Sequence, residues 1–258
     1  MSMEAMKQRI AIVTGASRRR GIGAAVCRTL AARHVAIFFT HWRQFDREMP
    51  WGADEDEPES LRAELLGMGV VCEHMETDLS LPATPQRILD EVEKRLGMPS
   101  ILVNNAAYST NGNYEELTAD MLDAHYAVNM RGTFLLSTEF ARRYPGGPGG
   151  RIISLTSGQS TGPMPNELAY IATKGAIEAF TVSLAADLAA KGITVNAVDP
   201  GATDTGWMPE ELKVEIVKHS PHGRIGQPED AARLIAFLAS DEAEWITGQI
   251  IHSRGGGI

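Results

Sequence analysis

The sequence is poor in cysteine, with only Cys27 and Cys72 in 258 residues, each inside an apolar segment. They form neither a CxxC pair nor a ligand cluster, which argues against a disulfide-stapled scaffold and fits a reduced, intracellular setting. No stretch approaches the roughly 18 uninterrupted apolar residues of a membrane-crossing helix. The opening MSMEAMKQR has no apolar core of signal-peptide length. A cytoplasmic location is the expectation from these absences. Positive charge is also short: 24 Lys plus Arg against 33 Asp plus Glu leave a net charge of −9. That balance argues against sequence-independent nucleic-acid binding and a polybasic membrane anchor. No repeat occurs at solenoid or propeller periods, and the seven histidines show no ligand spacing with acids or cysteines, so no metal is expected.

What the chain does have is 43% hydrophobic and 22% charged residues, enough to bury one sizeable core. Candidate strands are Arg9 to Val13, Val35 to Thr40, Val70 to Met75, Ile101 to Val103, Arg151 to Leu155, Ile193 to Val198 and Gln249 to His252. Amphipathic stretches lie between them, such as Ile22, Val26, Leu30 and Ile177, Phe180, Leu184, Leu188, and a later helix is expected to start at Pro228-Glu229-Asp230. Strands that alternate with helices and are apolar along their length predict a parallel sheet covered on both faces. Ligands of such sheets bind beyond the carboxyl ends of the strands. The Gly/Pro run from Pro145 to Gly150 reads as a loop inside one domain, 1–258.

Thr14-Gly15-Ala16-Ser17-Arg18-Arg19-Arg20-Gly21-Ile22-Gly23 follows the first strand directly and leads into the first helix. Glycines there let backbone N–H groups approach a phosphate, and the helix N-terminus adds its positive dipole end. An ordinary strand-to-helix turn is the alternative, and position in the first βα turn favours a dinucleotide. The second strand ends Phe38-Phe39-Thr40-His41-Trp42-Arg43, without the acid that would bond the ribose hydroxyls of NAD. Its absence, with Arg18 to Arg20 and Arg43, points to NADP, with NAD possible. Asp54 to Glu57 would disfavour a phosphate if folded over the adenosine end, but they read as a solvated loop tip.

Tyr170 and Lys174 stand four apart, one turn of one helix face. A free phenol, with a pKa of about 10, is a poor base, and a cation within about 4–6 Å favours the phenolate. The pair alone equally suits an amphipathic surface.

In order along the chain, these motifs make it resemble the short-chain dehydrogenase/reductases from near residue 7 to its end. They are TGASRRRGIG at 14–23, Asp78-Leu79, Asn104-Asn105-Ala106-Ala107, Asn129 in VNMRGTF, Ser157 in ISLTSG, Tyr170/Lys174 and Pro200-Gly201 in VNAVDPG. A tail reading GRIGQPEDAARLIAFLAS and then ITGQIIHSRGGG continues the likeness, which is greatest toward 3-oxoacyl-[acyl-carrier-protein] reductases.

The resemblance implies a single-domain α/β fold, a Rossmann-like doubly wound sheet of about seven parallel strands. It also implies hydride transfer between a nicotinamide and a carbonyl or alcohol. Tyr170 would move the proton to or from the substrate oxygen, with Lys174 lowering its pKa and bonding the nicotinamide ribose; Ser157 would hold that oxygen, and Asn129 a water leading from Lys174 to solvent. Gly15, Ser17, Arg18, Gly21, Ile22 and Gly23 would hold the phosphates, and Thr40 and His41 the adenosine ribose. Asp78 and Leu79 would contact adenine, Asn105, Ala106 and Ala107 would line the cleft, and Pro200, Gly201, Thr203 and Thr205 would cover the nicotinamide side. Residues 206–223 would form a substrate lid, with Trp207, Met208, Leu212 and Ile216 as its apolar candidates, facing a wall of Tyr108 and Gly162 to Pro165.

The sequence departs from the family pattern in three respects. The glycine loop carries two extra residues, Ala107 stands where glycine is usual, and Thr203 replaces an apolar residue. The segment from Thr40 to Ser60 is long for a connection. Such a pocket suits a mostly apolar carbonyl compound. A carrier-protein partner, itself acidic, would need a local basic patch, for which Arg131, Arg142 and Arg143 are candidates. Three functions stand open: an NADPH-dependent ketone or 3-oxoacyl reductase, an NAD-dependent alcohol dehydrogenase, and a nucleotide-sensing protein without turnover. An enoyl reductase is disfavoured by the close Tyr/Lys spacing, and the resemblance implies a homotetramer or dimer.

Overall fold

The computed structural model describes residues 8–256. Seven strands, β1 (Ile10–Val13), β2 (Ala36–His41), β3 (Cys72–Glu76), β4 (Ile101–Asn104), β5 (Gly150–Leu155), β6 (Ile193–Asp199) and β7 (Ile250–His252), form one sheet. All neighbours are parallel, in the order β3-β2-β1-β4-β5-β6-β7. The strand order therefore reverses between β1 and β4, and a crevice opens there beyond the carboxyl ends of the strands.

Alternation along the inner strands feeds two cores. Ala11, Val13, Ile37 and Phe39 face α1 (Ile22–Ala31), α3 (Glu57–Gly67) and α9 (Pro228–Leu238). Ile10, Ile12, Ala36 and Phe38 face α4 (Thr84–Arg95), α6 (Thr133–Arg143) and α7 (Leu168–Leu188). With both faces covered, β1 is apolar at every position, and the inner strands β4 and β5 are buried throughout although Asn104, Arg151 and Ser154 interrupt their apolar runs. The expected start at Pro228 holds, and it carries a full capping box between Gln227 and Asp230. At the end of α7, Gly192 adopts φ +76, and a Cβ there would meet the Gly147 carbonyl at 2.2 Å. The Gly-rich loop before β5 is thus pressed against the turn that starts β6.

The stretch from Thr40 to Ser60 is not one long connection. It folds into α2 (Arg43–Glu48) and the start of α3, with Trp51 between them. The period-based reading missed α2 because its buried residue is an acid, Asp46. Two further helices, α5 (Ala119–His125) and α8 (Glu210–His219), flank the carboxyl ends of the strands, and a π-helical turn (Tyr126–Gly132) joins α5 to α6.

Candidate active site

Helix α7 presents Tyr170, Lys174 and Glu178 one turn apart. Lys174 is 2% exposed and donates from Nζ to the Leu155 carbonyl at 2.8 Å, the last residue of β5. The ammonium lies 5.3 Å from the centre of the Tyr170 ring. Glu178 accepts from Gln159 Nε2 at 2.6 Å and lies 3.2 Å from the Thr156 and Ser160 hydroxyls. It thereby ties α7 to the loop that carries Ser157. That serine is extended, packs its hydroxyl against Met164 Sδ, and faces the Tyr170 phenol. Glu178 escaped the sequence reading, although its place one turn beyond Lys174 was the signal.

Burial sets the electrostatics of the pair. Burial, then the charge of Glu167, holds the Tyr170 phenol above its ordinary value, and the Ser157 hydroxyl pulls only partly the other way. Burial also takes Lys174 down to about 8. Lys174 is surrounded by protein and has a neutral carbonyl as its hydrogen-bond partner, so its charge is less stabilised than in water while still predominant at neutral pH. Tyr170 is accordingly the acid form at neutral pH.

Asn129 lies in the π-helical turn, a local widening common at functional sites. Its Oδ1 accepts from Tyr108 N–H at 2.7 Å, and its Nδ2 donates to the Tyr108 carbonyl at 2.9 Å and to Thr173 Oγ1 at 3.0 Å. Both amide hydrogens are spent, so any water at Asn129 must donate to one of its carbonyl oxygens. The side chain itself clasps the loop after β4 to the helix turn between Tyr170 and Lys174.

A cleft of about 700 Å3 opens at the switch between β1 and β4. Of the residues expected to hold a cofactor, it is lined by Gly15, Ser17, Arg18, Gly21, Ile22, Thr40, His41, Asp78, Leu79, Asn105, Ala106, Ala107 and Thr205. Gly23, Pro200, Gly201 and Thr203 lie outside the lining, as do Asn129, Ser157, Tyr170 and Lys174. Gly23 instead admits close packing, since a Cβ there would meet Asn105 Nδ2 at 2.7 Å. Thr203 is buried and donates to the Pro200 carbonyl at 3.1 Å. One link joins the cleft to the Tyr170 turn of α7, Tyr108 through Asn129 to Thr173, while Arg18 closes the cleft on itself by donating to the Thr205 carbonyl at 3.0 Å. Thr14 Oγ1 accepts from the Asn105 and Ala106 N–H groups at 3.1 Å each, which fixes the loops on either side of the switch.

The donor set fits a dinucleotide. The α1 N-cap, Gly21, contributes no side-chain hydrogen bond, so the first N–H groups of the helix are left to a ligand. Gly15 at φ +72 lies so close to Ala106 that a Cβ would approach it at 2.6 Å, which keeps the loop flat beneath the cleft. Asp78 holds Ser80 N–H and Oγ at 2.8 Å each at the rim.

The arginines separate by partner. Arg18 turns toward the cleft, with Nε 3.3 Å from Asp46 and its guanidinium 4.6 Å above the Trp51 ring. Arg19 pairs with Glu64 at 2.7 Å, and its backbone N–H bonds Glu57 at 3.1 Å. Arg43, counted above toward a phosphate, is instead held by Glu76 and Glu55. Asp54 to Glu57 are therefore not an idle loop tip, because Glu55 pairs with Arg43 and Arg47 and Glu57 accepts from the Arg19 N–H. The three candidate arginines form no basic patch among the described residues: Arg143 meets Asp90, Glu93 and Glu139, Arg142 meets Glu139, and Arg131 turns into the cleft wall. Carboxylates on α4 and α6 absorb the charge of Arg142 and Arg143. Sequence reasoning also missed Phe45, Asp46, Trp51 and Arg131 as lining residues, and no spacing signal marks them.

In 206–223, Met208 is buried, whereas Trp207 is 48% exposed and Leu212 38%. No residue of α8 is buried. Tyr108 meets His125 edge-on at 4.9 Å and Phe45 at 5.4 Å, so the wall expected from Tyr108 also touches α2.

A family profile described as enoyl-(acyl carrier protein) reductase matches residues 15–257. An uncharacterized oxidoreductase of Bacillus subtilis, YjdA, is 54% identical over 98% of both chains. The 3-oxoacyl-[acyl-carrier-protein] reductase of Escherichia coli is 32% identical over 96% of both. A short-chain dehydrogenase from Burkholderia cenocepacia, solved in complex with NADP, superposes with a TM-score of 0.86 at 32% identity, covering 97% of this chain and 98% of that one.

Proposed function

The chain belongs to the short-chain dehydrogenase/reductase family, and from that premise we propose that it is an NADPH-dependent reductase of a ketone or 3-oxoacyl group. The observation that carries this reading is the acid-form Tyr170 on α7, with Ser157 facing it and Lys174 beside its ring. A nicotinamide dinucleotide bound in the cleft supplies the hydride. Gly15, Gly21 and the N-terminus of α1 would hold its phosphates, and Arg18 a 2′-phosphate. The NADP complex of the Burkholderia relative supports the phosphorylated form.

Ser157 holds the substrate oxygen, and Tyr170 donates its Oη proton to that oxygen as negative charge develops there. The phenolate left behind is stabilised by the protonated Lys174, whose pKa of about 8 lets it pass a proton on near neutrality. A phenol that keeps its proton at pH 7 suits reduction, because the proton to be given is in place. In the oxidative direction the same phenol must first lose it, so oxidation is favoured by alkaline pH.

The exposed apolar side chains of 206–223 serve as a substrate lid on a single dinucleotide-binding and catalytic domain. Neutralisation of Arg142 and Arg143 favours a free carbonyl compound over one carried by an acidic protein. The buried Asp46 beside Arg18 favours the alternative of an NAD-dependent alcohol dehydrogenase. Exposed Leu122, Tyr126, Leu135 and Val182, on the helices after β4 and β5, suit assembly into a dimer or tetramer, and we place the protein in the cytoplasm.

Consumption of NADPH and NADH against 3-oxoacyl thioesters, diketones and simple ketones tests the reading. Turnover that prefers NADPH and collapses in Tyr170→Phe is expected. Turnover undiminished in that variant would overturn it.

A further inference from the structure

We propose that the chain of side chains His41–His74–Glu59 reads the 2′ position of the cofactor's adenosine ribose, so that a 2′-phosphate binds with uptake of one proton and a 2′-hydroxyl binds with none. The inference rests on the reading of the cleft as a dinucleotide site. His41 is the last residue of β2, 4% exposed, and lines the cleft with the glycine loop. In sheets of this kind the end of the second strand supplies the acceptor for the ribose 2′-hydroxyl.

The hydrogen bonds dictate the tautomers. His41 Nε2 lies 3.0 Å from His74 Nδ1, and His74 Nε2 lies 3.1 Å from Glu59 Oε2. The Glu59 carboxylate, held below its usual pKa by His74 and Arg62, can only accept. His74 Nε2 therefore carries a hydrogen. With both rings neutral, His74 Nδ1 is bare, His41 Nε2–H donates to it, and His41 Nδ1 is left as an acceptor. That Nδ1 is buried and has no hydrogen-bond partner among the described residues.

One added proton changes this outcome wherever it settles. Two imidazoles sharing three hydrogens place one on Glu59, one between the rings and one on His41 Nδ1, which becomes a donor. A ribose hydroxyl can donate to the neutral pair. A phosphate dianion, which only accepts, is bonded only by the protonated pair, so its binding draws a proton from solvent.

The surroundings set the resting state. His74 and Glu76 face His41 from β3, Arg43 and Asp46 from α2, Glu59 from α3 beyond His74, and Arg18 shares the cleft mouth. Burial, reinforced by His74, holds His41 down to about 4, against a smaller upward pull from Glu76. The pair is thus neutral before binding near pH 7.5, so a proton carried by it in the complex is one taken up on binding.

Titration calorimetry of the full chain with NADPH and with NADH at pH 7.5, in buffers of different protonation enthalpy, counts the protons directly. About one proton is expected for NADPH and none for NADH, with NADPH affinity falling up to about tenfold per pH unit above neutrality and NADH affinity flat. His41→Gln should abolish the uptake while NADH still binds. Glu59→Gln, at a side chain 62% exposed and so safe for folding, should weaken NADPH several-fold, to roughly a fifth of its affinity, and spare NADH. Equal proton counts for the two cofactors, or an uptake that persists in His41→Gln, would overturn the proposal. Binding of neither cofactor would sink the dinucleotide reading together with it.

Discussion

On α7, outside the cleft lining, Lys174 and Tyr170 are buried with no ion-pair partner; around the glycine loop and α2, Arg18, Arg19 and Arg43 each lean on a carboxylate. Burial dominates the first pair, drawing the ammonium down and, with Glu167 adding to it, the phenol up, so both move toward their neutral forms. Ion pairing acts on the arginines, which keep their charge and lose their freedom. The first arrangement leaves protons ready to move near neutral pH. The second leaves fixed charges whose balance selects a ligand. Only Arg18 among the three combines a carboxylate partner with a place in the cleft lining, and it is the one whose balance a bound phosphate would disturb.

The contrast can be broken most severely at the phenol. Tyr170→Phe should lower turnover by about a hundredfold to ten-thousandfold at unchanged cofactor affinity, measured by steady-state kinetics beside NADPH titration. Next comes the buried amine. Burial lowers the Lys174 pKa from 10.5 to about 8, so between those values the unfolded chain binds more protons and the stability of the fold rises with pH. Lys174→Met removes that slope. Its stability relative to the parent should decline by on the order of 3 kcal/mol as pH rises from 7.5 to 10.5, several degrees in melting temperature.

Glu178→Gln loosens the loop that carries Ser157, and kcat should fall roughly tenfold to a hundredfold while NADPH affinity stays constant. An equal loss of NADPH affinity would show that Glu178 supports the whole cleft instead. The smallest effect belongs to the adenosine end. Asp46→Asn retains the shape around Trp51, whose Nε1 donates to Asp46 at 2.9 Å, and removes a negative charge beside Arg18. NADPH should bind about fivefold more tightly, on the order of 1 kcal/mol, with NADH unchanged.

Much of this was legible along the chain. The strands were placed within one or two residues because their apolar runs are bounded by glycine, proline and polar turns. Tyr170 and Lys174 share a helix face because they are one turn apart, and the glycine loop follows β1 directly. The arginines were not legible in the same way. Arg18, Arg19 and Arg20 are adjacent and alike in sequence, and only the positions of Asp46, Glu57 and Glu64 distinguish the first two. Helix α2 was hidden for a related reason: its anchor is a buried carboxylate whose partners, Arg18 and Trp51, give no hydrophobic period.

The sequence by itself determined the order of strands and helices, the faces they bury and the spacing of Tyr170 and Lys174, because these depend on neighbours a few residues apart. The tertiary structure alone decided which arginine turns inward, that burial pushes the Tyr170 phenol and the Lys174 ammonium toward their neutral forms, and that His41 ends a hydrogen-bonded chain with one nitrogen left over. Those outcomes depend on burial and on charges brought together from β2, β3, α2 and α3, and Coulomb and desolvation energies follow distance in space, whatever the separation along the chain.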